Sequence, residues 1–217
     1  MGAQLCSQAD AKATPEILRF HAEAKGMHVC LDARRSTAYR FATFHDGIVF
    51  SQRPVRPRER VVLRVLGHQD GWCGGLRVGF TRLDPAHLPA PSLPPFVCPD
   101  LEQQSPTWAA MLPHGCALAG DVVCFWVTQR GRLCAQVNAG PRLLLRKGLP
   151  VGAPLWAVMD VYGTTKAIQL LGEATGTDHR RGTAPKGEVE AEVVLHGIQS
   201  LGCHSQHLPH SHVLGPL

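Results

Sequence analysis

His45 and Asp46 stand side by side just ahead of an apolar run, and an imidazole next to a carboxylate is half of a general-base pair. Neighbouring residues on a turn are expected to point apart, and no placed Ser or Cys nucleophile accompanies them, so a hydrolase is not predicted. Cys203 with His204, His207, His210 and His212 supplies metal-ligand types, but in a stretch with no scaffold to orient them, so no selective metal site is predicted there. The eight cysteines, at 6, 30, 73, 98, 116, 124, 134 and 203, include no CxxC pair. That excludes both a zinc cage and a thioredoxin-type motif, and it predicts reduced, mostly buried thiols in a cytoplasmic chain. No catalytic residue, metal or cofactor is expected.

The N-terminus carries a possible modification signal. Met1-Gly2-Ala3-Gln4-Leu5-Cys6-Ser7 approximates M-G-x-x-x-[ST], with Cys6 where the hydroxyl residue belongs. A myristoyl chain on Gly2 binds membranes only marginally alone, and a palmitoyl group on Cys6 would be the second anchor. An ordinary flexible segment, residues 1–14, is the expectation, with membrane contact only if lipid is added. Met1 to Gln8 lacks an apolar core, so no secretory leader is expected, and no run of 18 apolar residues is present to span a membrane as a helix.

Residues of the kind that carry interface energy are clearer. Trp72, Gly74, Gly75 and Arg77 form a first candidate partner-binding group, with Arg53 and Tyr162 behind them. Trp72 is read equally well as an anchor or as core. Gly79 permits a close approach of backbone, and Gly79→Glu is expected to abolish partner binding. Asp160 and Tyr162 alternate with Val161 on one strand face, where a structural role is expected. Arg53, Arg56, Arg58 and Arg60 lie on a proline-punctuated turn that is read as a solvated loop, in preference to a site for an acidic peptide or a phosphoinositide.

These residues must be held by strands. Leu76 to Thr81 alternates apolar with small or polar residues, the pattern of a half-buried strand, and Pro85 stops it. Met27, Val29 and Leu31 are predicted to share one strand face, and Gly47 to Ser51 reads as a central strand. Asp121 to Val127 and Leu133 to Asn138 flank a five-residue loop with Gly131, a hairpin signature. Trp108 to Leu112 is either a strand or a short helix. Asp84 to Pro99 is predicted to be an ordered loop tied down by Leu93, Phe96, Val97 and Leu101. Short strands at regular spacing without helical period predict an all-β, two-sheet antiparallel β-sandwich.

The composition changes after Leu171. All thirteen aromatic residues lie at or before Tyr162, and residues 172–217 are expected to form a disordered His-rich tail. Residues 1–171 carry a net charge of +7 and residues 172–217 a net charge of −2. A mild positive excess without a focused basic face argues against nucleic acid.

Four motifs together carry a family resemblance: FHDGIVFSQRPVRPRERV at 44–61, WCGGLRVGFTRLDP at 72–85, the hairpin ending in Val137-Asn138, and PLWAVMDVYGTTKAIQLL at 154–171. The stretch Pro15 to Leu171 resembles a neuralized homology repeat (NHR), as found in single-repeat members of the neuralized-like E3 ubiquitin ligases. The resemblance implies a sandwich related to the SPRY and concanavalin-like folds that binds target proteins. It also implies a C-terminal zinc-holding RING in full-length members. Only Cys203 follows Cys134, so a RING is expected to be missing from this chain and ligase activity is not carried over. The expected role is target recognition in the ubiquitination pathway. Alternatives are a ligase active through a homo-oligomer with a RING-bearing full-length form, or a lectin-like or lipid-binding sandwich.

Overall fold

The computed structural model describes residues 16–88 and 93–172. Twelve strands run in chain order: β1 (Phe20–Lys25), β2 (Val29–Leu31), β3 (Thr37–Arg40), β4 (Ile48–Ser51), β5 (Val61–His68), β6 (Arg77–Thr81), β7 (Thr107–Met111), β8 (Val122–Val127), β9 (Arg132–Val137), β10 (Arg142–Lys147), β11 (Trp156–Asp160) and β12 (Thr165–Leu171). All pair antiparallel, in a five-stranded sheet of order β1-β4-β11-β6-β7 and a seven-stranded sheet of order β10-β9-β8-β5-β12-β3-β2.

Strand β5 shows why these sequences make this layer. Val61, Leu63 and Val65 point into the core while Arg64 and Leu66 face out, so one face is buried and the other wet. The main core fills the space between the sheets, where the Phe80 and Phe125 ring centroids stand 5.4 Å apart. By contrast, β4 and β11 are buried on both faces. The outer face of the smaller sheet carries a second cluster, with Ile48, Phe50 and Val158 packed against Val97 and Leu101. The segment after β6 is therefore a third layer. Within it lie a short turn at Pro85–His87, an irregular turn at Val97–Leu101 and one α turn at Glu102–Gln104, and Leu93, Val97 and Leu101 anchor it as expected.

Register defines two ends. Asp160 of β11 faces both Ile48 and Arg77, while Trp156 faces Thr81 at the far end. Between β11 and β12 the chain crosses from one sheet to the other, and Arg40 of β3 holds that crossing. Its guanidinium, wholly buried, donates from Nε to the Val161 carbonyl (2.7 Å), from Nη1 to Ala42 (2.8 Å) and from Nη2 to Gly163 (2.7 Å) and Thr165 (3.1 Å).

Of the two readings for residues 108–112 the strand holds, with Trp108 to Met111 in β7 and Leu112 just past its end. Several local expectations differ from the structure. Met27 does not share a strand face with Val29; β2 starts only at Val29, and Met27 is 65% exposed in the turn before it. The thiols are not mostly buried. Cys30 and Cys73 are exposed, Cys98, Cys116 and Cys124 are half-buried, and Cys134 alone of the described cysteines is buried. Cys30 is exposed because Val29 takes the inward position on β2 and the next residue must face out.

Gly79 sits mid-strand between β7 and β11, and a Cβ there would overlap the Trp108 carbonyl and lie 2.5 Å from Ala109 Cα. This constraint is structural, so Gly79→Glu acts on the sheet and not on a contact surface. Even Gly79→Ala is expected to cost about 1–3 kcal/mol through overpacking. Urea denaturation followed by circular dichroism measures it; an unchanged midpoint would contradict the register.

Candidate functional site

At the end marked by Asp160, a buried ion pair forms the base of a ring cluster. Asp160 is fully buried; its Oδ2 accepts from Arg77 Nη1 at 3.0 Å and from the Val97 backbone amide at 3.1 Å. Its Oδ1 has no hydrogen-bond partner among the described residues. Burial pushes the Asp160 carboxyl above the usual range, opposed by Arg77, the Val97 amide and Arg40. The Arg77 guanidinium also lies 3.6 Å over the Tyr162 ring and 5.5 Å from the Phe96 ring.

Above this base runs a continuous line of rings. Phe41 meets His28 at 5.6 Å between centroids, His28 meets His45 at 5.8 Å, His45 meets Phe44 at 5.1 Å, and Phe44 meets Trp72 at 5.0 Å. Phe44 also contacts Phe96 and Tyr162. The two ends of the line are open to solvent, with Phe41 50% and Trp72 37% exposed, and Trp72 is thus not core.

Tight loops hold the line in place. Gly74 has φ +78°, and a Cβ there would run into the Tyr162 ring. Its carbonyl accepts from the Thr164 amide (3.1 Å) and hydroxyl (2.8 Å), stitching the Trp72 loop to the sheet crossing. Gly75 carries no such restriction; a Cβ there would make ordinary contacts with Thr164 and Thr165.

His45 and Asp46 do not point apart. Asp46 takes φ +57°, unusual for a residue with a side chain, and this turns its carboxylate back onto His45 Nδ1. Asp46 Oδ2 also lies 3.3 Å from His28 Nδ1, and the three side chains offer donor atoms all within 4.8 Å, close enough to hold a cation. The same contacts serve as imidazole–carboxylate hydrogen bonds, so the geometry by itself does not call for an ion. Thr43 Oγ1 stands 3.0 Å from His28 Nδ1, the same nitrogen that Asp46 approaches. A nucleophile activated as in a triad needs the base's two ring nitrogens to serve the two partners separately, which does not happen here.

The structure brings together Trp72, Gly74, Arg77 and Tyr162, with Asp160 beneath, and it separates Arg53 from them. Strand β11 ends at Asp160, so Tyr162 reaches Arg77 from the crossing and not from a shared strand face. Arg53 follows β4 at the opposite end, where Glu59 accepts from its Nη1 (2.8 Å) and Nη2 (2.7 Å) and from the Arg56 amide (2.7 Å). Burial raises the Glu59 carboxyl, but the Arg53 and Arg56 contacts outweigh that and hold it below the usual range. Gly79 lies inside the sheet. Gly2, Cys6 and the histidines at 204, 207, 210 and 212 lie outside the described residues. Sequence reasoning missed Phe41, Phe44, Phe96 and His28; the FHDG stretch held part of the signal.

Against known proteins, residues 20–172 match the Neuralized family. The chain belongs to the Neuralized family. It is 75% identical over 171 residues to human "E3 ubiquitin-protein ligase NEURL3", an alignment covering 79% of this chain and 65% of that protein. It is 44% identical over 163 residues to mouse "E3 ubiquitin-protein ligase NEURL1B", covering 75% of this chain and 30% of that one. The chain thus spans just under two thirds of the length of human NEURL3. Its fold is similar to the crystal structure of the Drosophila melanogaster Neuralized NHR1 domain, with TM-score 0.69 and 30% identity over 72% of this chain and 99% of that one. The described body is therefore a Neuralized NHR domain of the kind found in E3 ubiquitin ligases.

Two outcomes test this account. Arg77→Ala leaves a buried carboxylate without its partner and is expected to destabilise the domain by about 3–5 kcal/mol in urea titration. Glu59 has its pKa lowered on folding, so its contribution is present above the unfolded value of about 4.3 and is lost as pH falls through the folded value. Glu59→Gln should lower the melting temperature at pH 7 and flatten its fall below pH 4.3; an unchanged acid limb would refute the assignment.

Proposed function

We propose that this NHR domain is the target-recognition module of a neuralized-type ubiquitin ligase, and that it grips target proteins with the ring line from Phe41 to Trp72. One observation carries the reading: the line's outer members are exposed, while Phe44 and His45 within it pack on Phe96 and Tyr162, the rings that the Asp160-paired Arg77 lies against. Exposed aromatic side chains on a rigid base bury much apolar area with little loss of conformational freedom, which is the physics of an interface hot spot. Met111, also exposed, extends the apolar surface beside Gly74. Ubiquitin transfer on such a target would be the work of a RING, whose paired thiol ligands are not found among the described residues.

Trp72→Ala and Phe41→Ala remove part-exposed side chains from the open ends of the line and should leave the domain folded, with a single cooperative melting transition. Capture of targets by the immobilised chain, quantified by mass spectrometry, is expected to fall at least ~30-fold for Trp72→Ala, about 2 kcal/mol. Unchanged capture by both variants would move the binding surface elsewhere. In a reaction with ubiquitin, activating enzyme and conjugating enzymes, the chain alone should form no ubiquitin chains, and added RING-bearing relative should restore them; chain formation without it would overturn the division of labour.

A further inference from the structure

The opposite end of the sandwich holds a cavity of about 980 Å³, at the upper limit of the range for ligand pockets. Three segments wall it: the loop at 54–60, the end of β8 with its turn at 126–129, and the loop at 150–155. Its surface is apolar, with Val55, Trp126, Leu155 and the 62%-exposed Val151, and its rim is basic, with Arg56, Arg58 and Arg60. Glu59 is the one carboxylate in the wall, and Arg53 and the Arg56 amide already occupy it. The three rim arginines form no ion pair among the described residues, and Arg60 lies 4.2 Å over the Trp126 ring. Arg58 holds φ +67°, a backbone position that L-residues adopt only when the surroundings enforce it. A wall of apolar side chains under a row of exposed guanidiniums suits an extended peptide that alternates carboxylates with branched apolar residues.

The chain contains such a segment. Glu188-Val189-Glu190-Ala191-Glu192-Val193-Val194-Leu195 places three carboxylates at i, i+2 and i+4. It belongs to the part with net charge −2, against +7 for residues 1–171. The path is short: Leu171, near the last described residue, pairs with Val62, two positions from Arg60. The seventeen residues from Gly172 to Glu188 can span up to ~50 Å, ample for an entry next to where they start. Tethering raises the local concentration of the segment to roughly millimolar, so even a weak fit is populated.

We propose that this cavity is a binding site for acidic, alternately apolar peptide segments and that residues 188–195 of the same chain occupy it. The site lies at the end away from the ring line, so it is a second recognition surface that can be filled while the first is free.

The test uses the full chain with the photo-crosslinker p-benzoylphenylalanine in place of Val193, irradiated and mapped by mass spectrometry. Adducts are expected on the 54–60, 126–129 and 150–155 segments. They should fall at least tenfold in Arg56→Glu/Arg58→Glu/Arg60→Glu and return when Glu188→Arg/Glu190→Arg/Glu192→Arg is added. Raising NaCl from 50 to 500 mM gives the same loss without any substitution, which covers the case of a misfolded triple variant. Adducts scattered over the surface, adducts on these segments that ignore both charge reversal and salt, or adducts only between two chains and rising with concentration would each overturn the proposal. Target capture by the ring line is read in parallel, and its loss or survival is independent of these outcomes.

Discussion

A buried guanidinium must have its donors satisfied or the fold does not form, and Arg40 meets that demand with carbonyls from both sides of the sheet crossing. Charge-assisted bonds to Val161, Gly163 and Thr165 fix the backbone of residues 161–165, and everything at that end depends on this fixed path. Tyr162 is carried on it and supplies the ring over which Arg77 lies. Thr164 is carried on it and ties down Gly74, so the Trp72 loop cannot move freely. Asp160 immediately precedes it and balances the two guanidiniums electrostatically, in direct contact with Arg77 only.

The two ends of the sandwich therefore differ in chemistry for a structural reason. At one end the cations are internal: Arg40 and Arg77 face a buried carboxylate and carbonyls, leaving rings to meet solvent. At the other end a single carboxylate, Glu59, is absorbed by Arg53, and the remaining arginines stand at the rim of a cavity. Strong desolvated charge gives rigidity in the first case, and exposed charge gives steering and selectivity in the second.

Much of the fold is written locally. The β5 alternation, the Gly131 hairpin and the apolar anchors of the segment after β6 are each visible within a few residues, because strand period and turn preferences act over that distance. The candidate site was legible in part. Trp72, Gly74, Arg77 and Tyr162 could be chosen by type, since large aromatic and arginine side chains beside glycines are unusual outside contact surfaces. Arg53 was grouped with them on type alone, and register places it at the other end. His45 and Asp46 were assigned divergent directions from the usual turn geometry; the left-handed backbone at Asp46 reverses that.

What the sequence determined by itself was the layer architecture, the composition break after Leu171 and the motifs that mark a Neuralized domain, all of which depend on spacing along the chain. Only the tertiary structure decided which side chains meet. The Phe41-to-Trp72 line joins three separate loops, the Arg40 clamp spans more than 120 positions, and the basic cavity is walled by three segments from distant parts of the chain. Such contacts are set by strand order and register, and neither is encoded in the period of any one strand.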